Sequence, residues 1–144
     1  MKVVINTCYG GFGLSAKGIK RYLELKGQEV WFYRQTKHRY KDGVNEYSRV
    51  SVNDAMGMFW YASLVDEGDT IDHFPNACFK DKSIERCDPI LVQVVEEMGE
   101  ECWDDCAKLS VVYIEPGTWY KIAQYDGNED IEYAYFSDEW LLAE

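Results

Sequence analysis

Three glycines in four positions, Gly10, Gly11 and Gly13, follow a short apolar run and precede Ser15. The first N–H groups of a helix lack intrahelical partners and lie at the positive end of its dipole, so a turn of this kind suits a phosphate or another anion. Glycine lets such a group approach the main chain. Lys17 adds a positive charge in the following turn, and Tyr9 and Phe12 offer ring faces. The Gly-Lys-Ser/Thr ending of a P-loop is missing, as is the Gly-x-Gly-x-x-Gly dinucleotide spacing. The plainer alternative is a turn that only reverses the chain, with Phe12 and Leu14 packed inward.

A second group mixes cations with rings: Arg34, Lys37, His38, Arg39, Tyr40, Lys41, Tyr47 and Arg49. Such a stretch grips phosphates and stacks a base, or else solubilises a hairpin. Candidates for turnover are sparse. His38 and His73 are the two imidazoles, and no Ser-His-Asp order or paired-carboxylate motif stands out. Cys8 has the position of a nucleophile ahead of a helix start, or of a small buried side chain. Cys102 and Cys106 share a helical spacing but lack a CxxC partner pair, so free thiols are expected rather than zinc, and no metal or cofactor is predicted.

Local signals place these groups on elements. Residues 2–7 read as a strand buried on both faces, and Ser15 caps a helix over about 15–26 that Gly27 ends. Residues 28–34 read as a second strand. This is an α/β-like β-α-β start, which predicts a parallel strand pair with the glycine turn and Arg34 at neighbouring strand ends. On that reading Tyr9, Gly10, Gly11, Phe12, Gly13, Ser15, Lys17, Arg34, Lys37, Arg39 and Tyr40 form one anion site. Asp42-Gly43 signals a hairpin, residues 51–65 fit either a short helix or a buried strand, and 66–87 are irregular. Asp88-Pro89 starts a helix with Leu91, Val94, Val95 and Met98 on one stripe, ending at Gly99. Residues 107–114 form a strand. Residues 119–125 and 130–136 alternate around Asp126-Gly127-Asn128-Glu129 as an antiparallel hairpin, and Trp140-Leu141-Leu142 is a segment that docks back or onto a neighbour.

The expected fold is α+β: a mixed sheet of five or more strands, two main helices and a C-terminal β-hairpin. The length of 144 residues fits one domain, with 35–87 as an elaboration of a smaller core. A hydrophobic share of 47% with three prolines excludes a disordered or collagen-like chain, and no apolar run reaches membrane-span length. The net charge of −11 argues against duplex DNA as a simple ligand. The charge is also uneven. Residues 1–50 hold ten Lys and Arg against four Asp and Glu, net +6, and the rest hold five against 22, net −17. The aromatic share of 15% predicts a surplus of rings for an interface, most simply a homodimer.

Cys8-Tyr9-Gly10-Gly11-Phe12-Gly13-Leu14-Ser15, then Asp88-Pro89-x-Leu91-Val92-x-Val94-Val95-Glu96-Glu97-x-Gly99, then Ala107-x-Leu109 and Tyr125-Asp126-Gly127-Asn128-Glu129, resemble a widespread family of small proteins encoded by tailed phages and prophages. The similar blocks span roughly residues 2–30 and 86–130, and 35–85 carry no shared motif. The resemblance implies an accessory protein made in the host bacterial cytoplasm, and by association an inhibitor of host defence. It implies context rather than chemistry. Three readings follow. The leading one is non-catalytic sequestration of a small anionic, nucleotide-like ligand. The second is an acidic protein–protein inhibitor, a nucleic-acid mimic aimed at a host defence effector. The third is a small nucleotide-processing enzyme.

Overall fold

The computed structural model describes residues 1–134 and 141–144. In chain order the elements are β1 (Lys2–Asn6), α1 (Ala16–Leu25), β2 (Trp31–Lys37), α2 (Arg39–Asp42), β3 (Glu46–Val50), β4 (Trp60–Ser63), β5 (Thr70–Ile71), α3 (Pro89–Met98), β6 (Leu109–Tyr113), β7 (Trp119–Tyr125), β8 (Asn128–Ala134) and β9 (Leu141–Leu142). The fold is α+β with two main helices and a C-terminal hairpin.

β1 is the hinge of the architecture because its side chains feed two cores. Val4 packs with α1 and α3, in a cluster that includes Ile19, Tyr22, Leu23, Leu91, Val94 and Val95. Val3 and Ile5 point the other way, towards Ile114, Tyr120, Ile131 and Ala143 under the C-terminal sheet. The alternation of a strand makes this two-sided burial possible.

The strands are distributed over three antiparallel sheets, ordered β1-β6, β4-β2-β3-β5 and β8-β7-β9. The expected parallel pairing of β1 with β2 does not occur, and the single mixed sheet is replaced by these three. The reason lies at the edge of β1. Val4 N–H donates to the Arg86 carbonyl at 2.8 Å, and Asn6 N–H donates to Glu129 Oε1 at 2.7 Å. With β6 on its other side, β1 offers no edge to β2.

The helix ends follow local chemistry. Ser15 Oγ accepts the Gly18 N–H at 3.1 Å, and Asp88 Oδ1 accepts the Ile90 N–H at 2.8 Å with Pro89 opening the helix. The C-terminal hairpin turns through Asp126 and Gly127, both at positive φ (50° and 84°), as a two-residue turn between twisted strands requires. Its strands therefore start closer to the turn than the sequence pattern suggests, with Tyr125 opposite Asn128. Of the residues expected to extend this sheet, Tyr135, Phe136 and Trp140 lie outside the described residues, whereas Leu141 and Leu142 pair with β7.

The elaboration is the four-stranded sheet. α2 caps the β2–β3 hairpin, and Gly43 (φ 80°) turns the chain back. The ambiguous 51–65 segment resolves into a single helical turn at Val52–Asp54 followed by β4. Phe32, Ala55, Ala62 and Ile84 enter the same core as α1 and α3. On the opposite face Tyr33, Tyr47 and Ile71 form a small cluster of their own.

Candidate functional site

The glycine turn is built into the fold. Gly10 N–H donates to the Asp126 carbonyl at 3.1 Å, Leu14 N–H to Asp81 Oδ2 at 2.8 Å, and Ser15 N–H to the Cys102 carbonyl at 2.9 Å. These three amides, expected to be bare, are therefore used within the chain. The C-terminal hairpin tip lies directly against the turn. A Cβ on Gly127 would fall 2.3 Å from Gly11 N, and one on Gly10 would fall 2.7 Å from Cys106 Cβ. Close packing on the Gly10–Gly11 backbone at Gly127 and on Cys106 at Gly10, with both glycines at positive φ, accounts for them.

A buried polar network locks this junction. Asn6, fully buried, donates from Nδ2 to the carbonyls of Cys8 and Gly127, each at 2.8 Å, and its Oδ1 accepts the Lys108 N–H at 2.9 Å. Arg86 lies 3.8 Å over the Phe12 ring and pairs with Glu129 at 2.5 Å. Sequence reasoning missed Asn6, Arg86 and Glu129. The one available signal was a polar Asn inside an otherwise apolar strand.

The predicted site residues are divided between two places. Tyr9 is exposed beside the turn, Gly11 is half-buried, and Phe12 and Gly13 are buried. Ser15 Oγ donates to the Glu101 carbonyl at 2.5 Å while capping α1, and Lys17 is exposed on that helix. Arg34 sits in another sheet, so the expected neighbourhood of Arg34 and the glycine turn at adjoining strand ends does not form. Its guanidinium instead donates to the main-chain carbonyls of Asp54, Met56 and Met58. Lys37 pairs with Glu46 at 3.4 Å, and Arg39 and Tyr40 are exposed on α2.

The elaboration and the glycine turn nevertheless share one cleft. Its volume is about 380 Å³. Phe59, Trp60, Tyr61 and Phe79 supply aromatic walls, Leu14 comes from the end of the turn, and Lys80, Lys82, Asp81 and Asp104 supply charge. Asp81 is anchored by the Leu14 N–H at 2.8 Å. Burial, together with the nearby carboxylates Asp105 and Asp81, raises the Asp104 carboxyl above its ordinary range, against the Asp105 N–H bond and Lys82, which lower it. The cleft thus combines ring faces, two ammonium groups and a hydrogen-bonding carboxyl pair.

A larger cavity of about 690 Å³ lies between α1 and the start of α3. Its Tyr22, Lys26 and Asp88 groups already satisfy one another. Tyr22 donates its hydroxyl to Asp88 Oδ2 at 2.6 Å, and Lys26 Nζ donates to the same Tyr22 oxygen at 3.3 Å. The smaller cleft is therefore the better equipped for a polar ligand.

The histidines, Cys102 and Cys106 do not themselves line the cleft. His73 is hydrogen-bonded to Asp72 and Glu67, which raise its pKa. His38 packs edge-on against Phe59 at 4.8 Å. Cys102 is buried, with its thiol pushed up to about 11 by desolvation, and Cys106 is exposed. Among the described residues no group of three or more His, Cys, Asp or Glu is placed to hold a metal, and no helix is long and apolar enough to cross a membrane. In the acidic stretch, Glu96 pairs with Lys2 at 3.0 Å and Glu97 with Arg21 at 2.7 Å. In comparisons with known proteins, no family model, no curated protein and no solved structure matches the chain.

Proposed function

We propose that the chain is a phage-encoded accessory protein that acts against host defence by binding without turnover. Its ligand is a small, anionic, ring-bearing molecule of nucleotide type, held in the cleft between the glycine turn and the elaboration. The observation that carries this reading is the composition of the cleft. Trp60 and Phe59 offer stacking faces, Lys80 and Lys82 attract phosphate, and the Asp81–Asp104 pair accepts hydrogen bonds from a base edge. A volume of about 380 Å³ lies within the usual range for small-molecule sites. On this reading the ligand lies beside the glycine turn rather than on its amides.

Thermal unfolding against GMP, AMP, ADP-ribose and a cyclic dinucleotide tests the reading. A ligand present at a hundred times its Kd stabilises the fold by about 2.7 kcal/mol, a shift of roughly 5–10 °C for a domain of this size. Lys82→Glu should abolish the shift while leaving the unliganded melting temperature nearly unchanged, since Lys82 is exposed. The absence of a shift across the panel, or a shift unaltered in Lys82→Glu, rules the cleft out. Chromatography of the incubated nucleotide should recover it intact.

A further inference from the structure

Arg34 does unusual work for an arginine on a strand. Its Nη1 donates to the Met58 carbonyl at 3.1 Å, and its Nη2 donates to the carbonyls of Asp54 at 2.5 Å and Met56 at 2.6 Å. Gln35 N–H adds a bond to the Phe59 carbonyl at 2.9 Å. Four carbonyls of one short loop are thereby fixed from β2. The loop so held turns its large apolar side chains outward. Met56 is 62% exposed, Met58 71% and Phe59 46%. Phe59 also adopts φ 61°, a left-handed conformation that a bulky side chain rarely takes. Strained residues persist where surrounding contacts over-determine them, and such places concentrate at binding sites.

The ridge continues onto α2. The His38 ring packs edge-on to Phe59 at 4.8 Å and lies 6.3 Å from the Tyr40 ring, which is 93% exposed. Cations accompany it: Lys37, Arg39 and Lys41 are all exposed on the same hairpin. The acidic groups nearby are tied locally. Glu46 pairs with Lys37, Asp42 Oδ2 accepts the His38 N–H, and Asp54 Oδ2 accepts the Ser51 hydroxyl.

We infer that this braced ridge, Tyr40 with Met56, Met58 and Phe59, is a docking surface for a protein segment that carries apolar side chains flanked by carboxylates. Arg39 and Lys41, exposed and without a carboxylate partner among the described residues, select the acidic character. Large, pre-ordered apolar side chains in a water-excluding patch are the usual anchors of protein interfaces, and fixing their backbone beforehand lowers the entropy lost on binding. A lipid surface fits less well. A bilayer does not need a fixed backbone, whereas a peptide docking on a surface braced beforehand loses less entropy. The surface adjoins the proposed ligand cleft, which Gly57 and Phe59 of the same loop also line, but Tyr40, Met56 and Met58 are not among the residues that line the cleft.

A random dodecapeptide library selected on the full chain is the direct test. Enriched peptides should place Asp or Glu beside aromatic or aliphatic residues. Fluorescence polarisation of one labelled enriched peptide should show affinity falling about tenfold or more in Met58→Asp and in Met56→Asp, as expected for interface anchors. Arg34→Ala, which frees the loop, should weaken binding too, although the anchors themselves are unchanged. Rescue by Arg34→Lys should be partial, because an ammonium lacks the planar fork that reaches three carbonyls. Lys82→Glu should leave the peptide affinity unchanged, which separates this surface from the cleft. The inference is overturned by a selection without enrichment, or by peptides whose binding survives Met58→Asp. It is equally overturned if Met58→Asp instead abolishes binding to phosphatidylglycerol vesicles, or converts a dimer to a monomer in light scattering.

Discussion

Gly127→Ala probes the junction between the hairpin tip and the glycine turn. The added methyl would lie 2.3 Å from Gly11 N, 2.8 Å from Gly11 Cα and 2.9 Å from Gly10 C, all backbone atoms that a rotamer change does not move. The residue also sits at φ 84°, where an L side chain costs about 1–2 kcal/mol. Relieving the clash requires the tip to withdraw. That strains the Gly10 N–H bond to Asp126 O and the Asn6 Nδ2 bond to Gly127 O, each worth about 1 kcal/mol net. Overpacking of this kind typically costs about 1–3 kcal/mol. The expected loss is therefore about 2–5 kcal/mol, the strained bonds being part of the overpacking cost. Two other glycines calibrate the measurement. Gly43→Ala (φ 80°) and Gly11→Ala (φ 102°) place the methyl in open space, so each should lose only the conformational part, about 1–2 kcal/mol. Urea unfolding at constant m-value resolves these differences. If Gly127→Ala matched Gly43→Ala, the hairpin tip would not be pressed against the turn, and the packing account of the glycines would fail.

Further outcomes follow from the same geometry. Glu129→Ala should destabilise by about 3–5 kcal/mol in chemical denaturation, because it leaves the largely buried Arg86 and the Asn6 N–H without their carboxylate. The His73 ring should titrate above its ordinary value of 6.5 by NMR. Its bonds to Asp72 and then Glu67 raise the folded-state pKa, so their stabilisation is fully present below pH 6.5 and fades as pH rises through the raised value. Asp72→Asn should bring that midpoint down. With iodoacetamide near pH 8, mass spectrometry should find Cys106 alkylated well before Cys102, which is buried and whose thiol titrates at about 11.

What the sequence made legible was local. Ser15, Asp88-Pro89, Gly99 and Asp126-Gly127 each carry a cap or turn whose chemistry depends on residues within three or four positions, and each stands where that chemistry puts it. The partner of β1 was not legible, because the choice was made by distant groups. The Arg86 carbonyl and the Glu129 carboxylate occupy an edge that a β-α-β reading assigns to β2. The glycine turn failed for a related reason. A glycine run looks the same whether its amides face a guest or the chain's own hairpin, and only the position of Asp126-Gly127, more than 110 residues away, distinguishes them. Of the basic–aromatic stretch, the sequence pattern assigns Arg34, Lys37, Arg39 and Tyr40 to a ligand. Arg34 in fact braces a loop whose Met56 and Met58 carried no signal beyond being apolar.

Structural roles are divided along the chain. Residues 2–30 and 86–130 supply the two helices, β1, β6 and the hairpin tip, and Asn6, Arg86 and Glu129 form one network within them. That network holds the scaffold together and presents little to solvent. The aromatic walls of the cleft and the braced ridge come instead from residues 40–79. Yet Phe32, Ala55, Ala62 and Ile84 pack in the same core as α1 and α3, so the elaboration is fused to the scaffold rather than appended to it. Substitutions at the surface of 37–59 should therefore alter binding at small cost in stability, because Met56, Met58 and Tyr40 bury little. Substitutions at Asn6, Gly127 or Glu129 should unfold the protein before they alter what it recognises. A survey of variants that scored folding and binding separately would find the two sets of positions nearly disjoint, and extensive overlap would contradict the assignment of recognition to the elaboration.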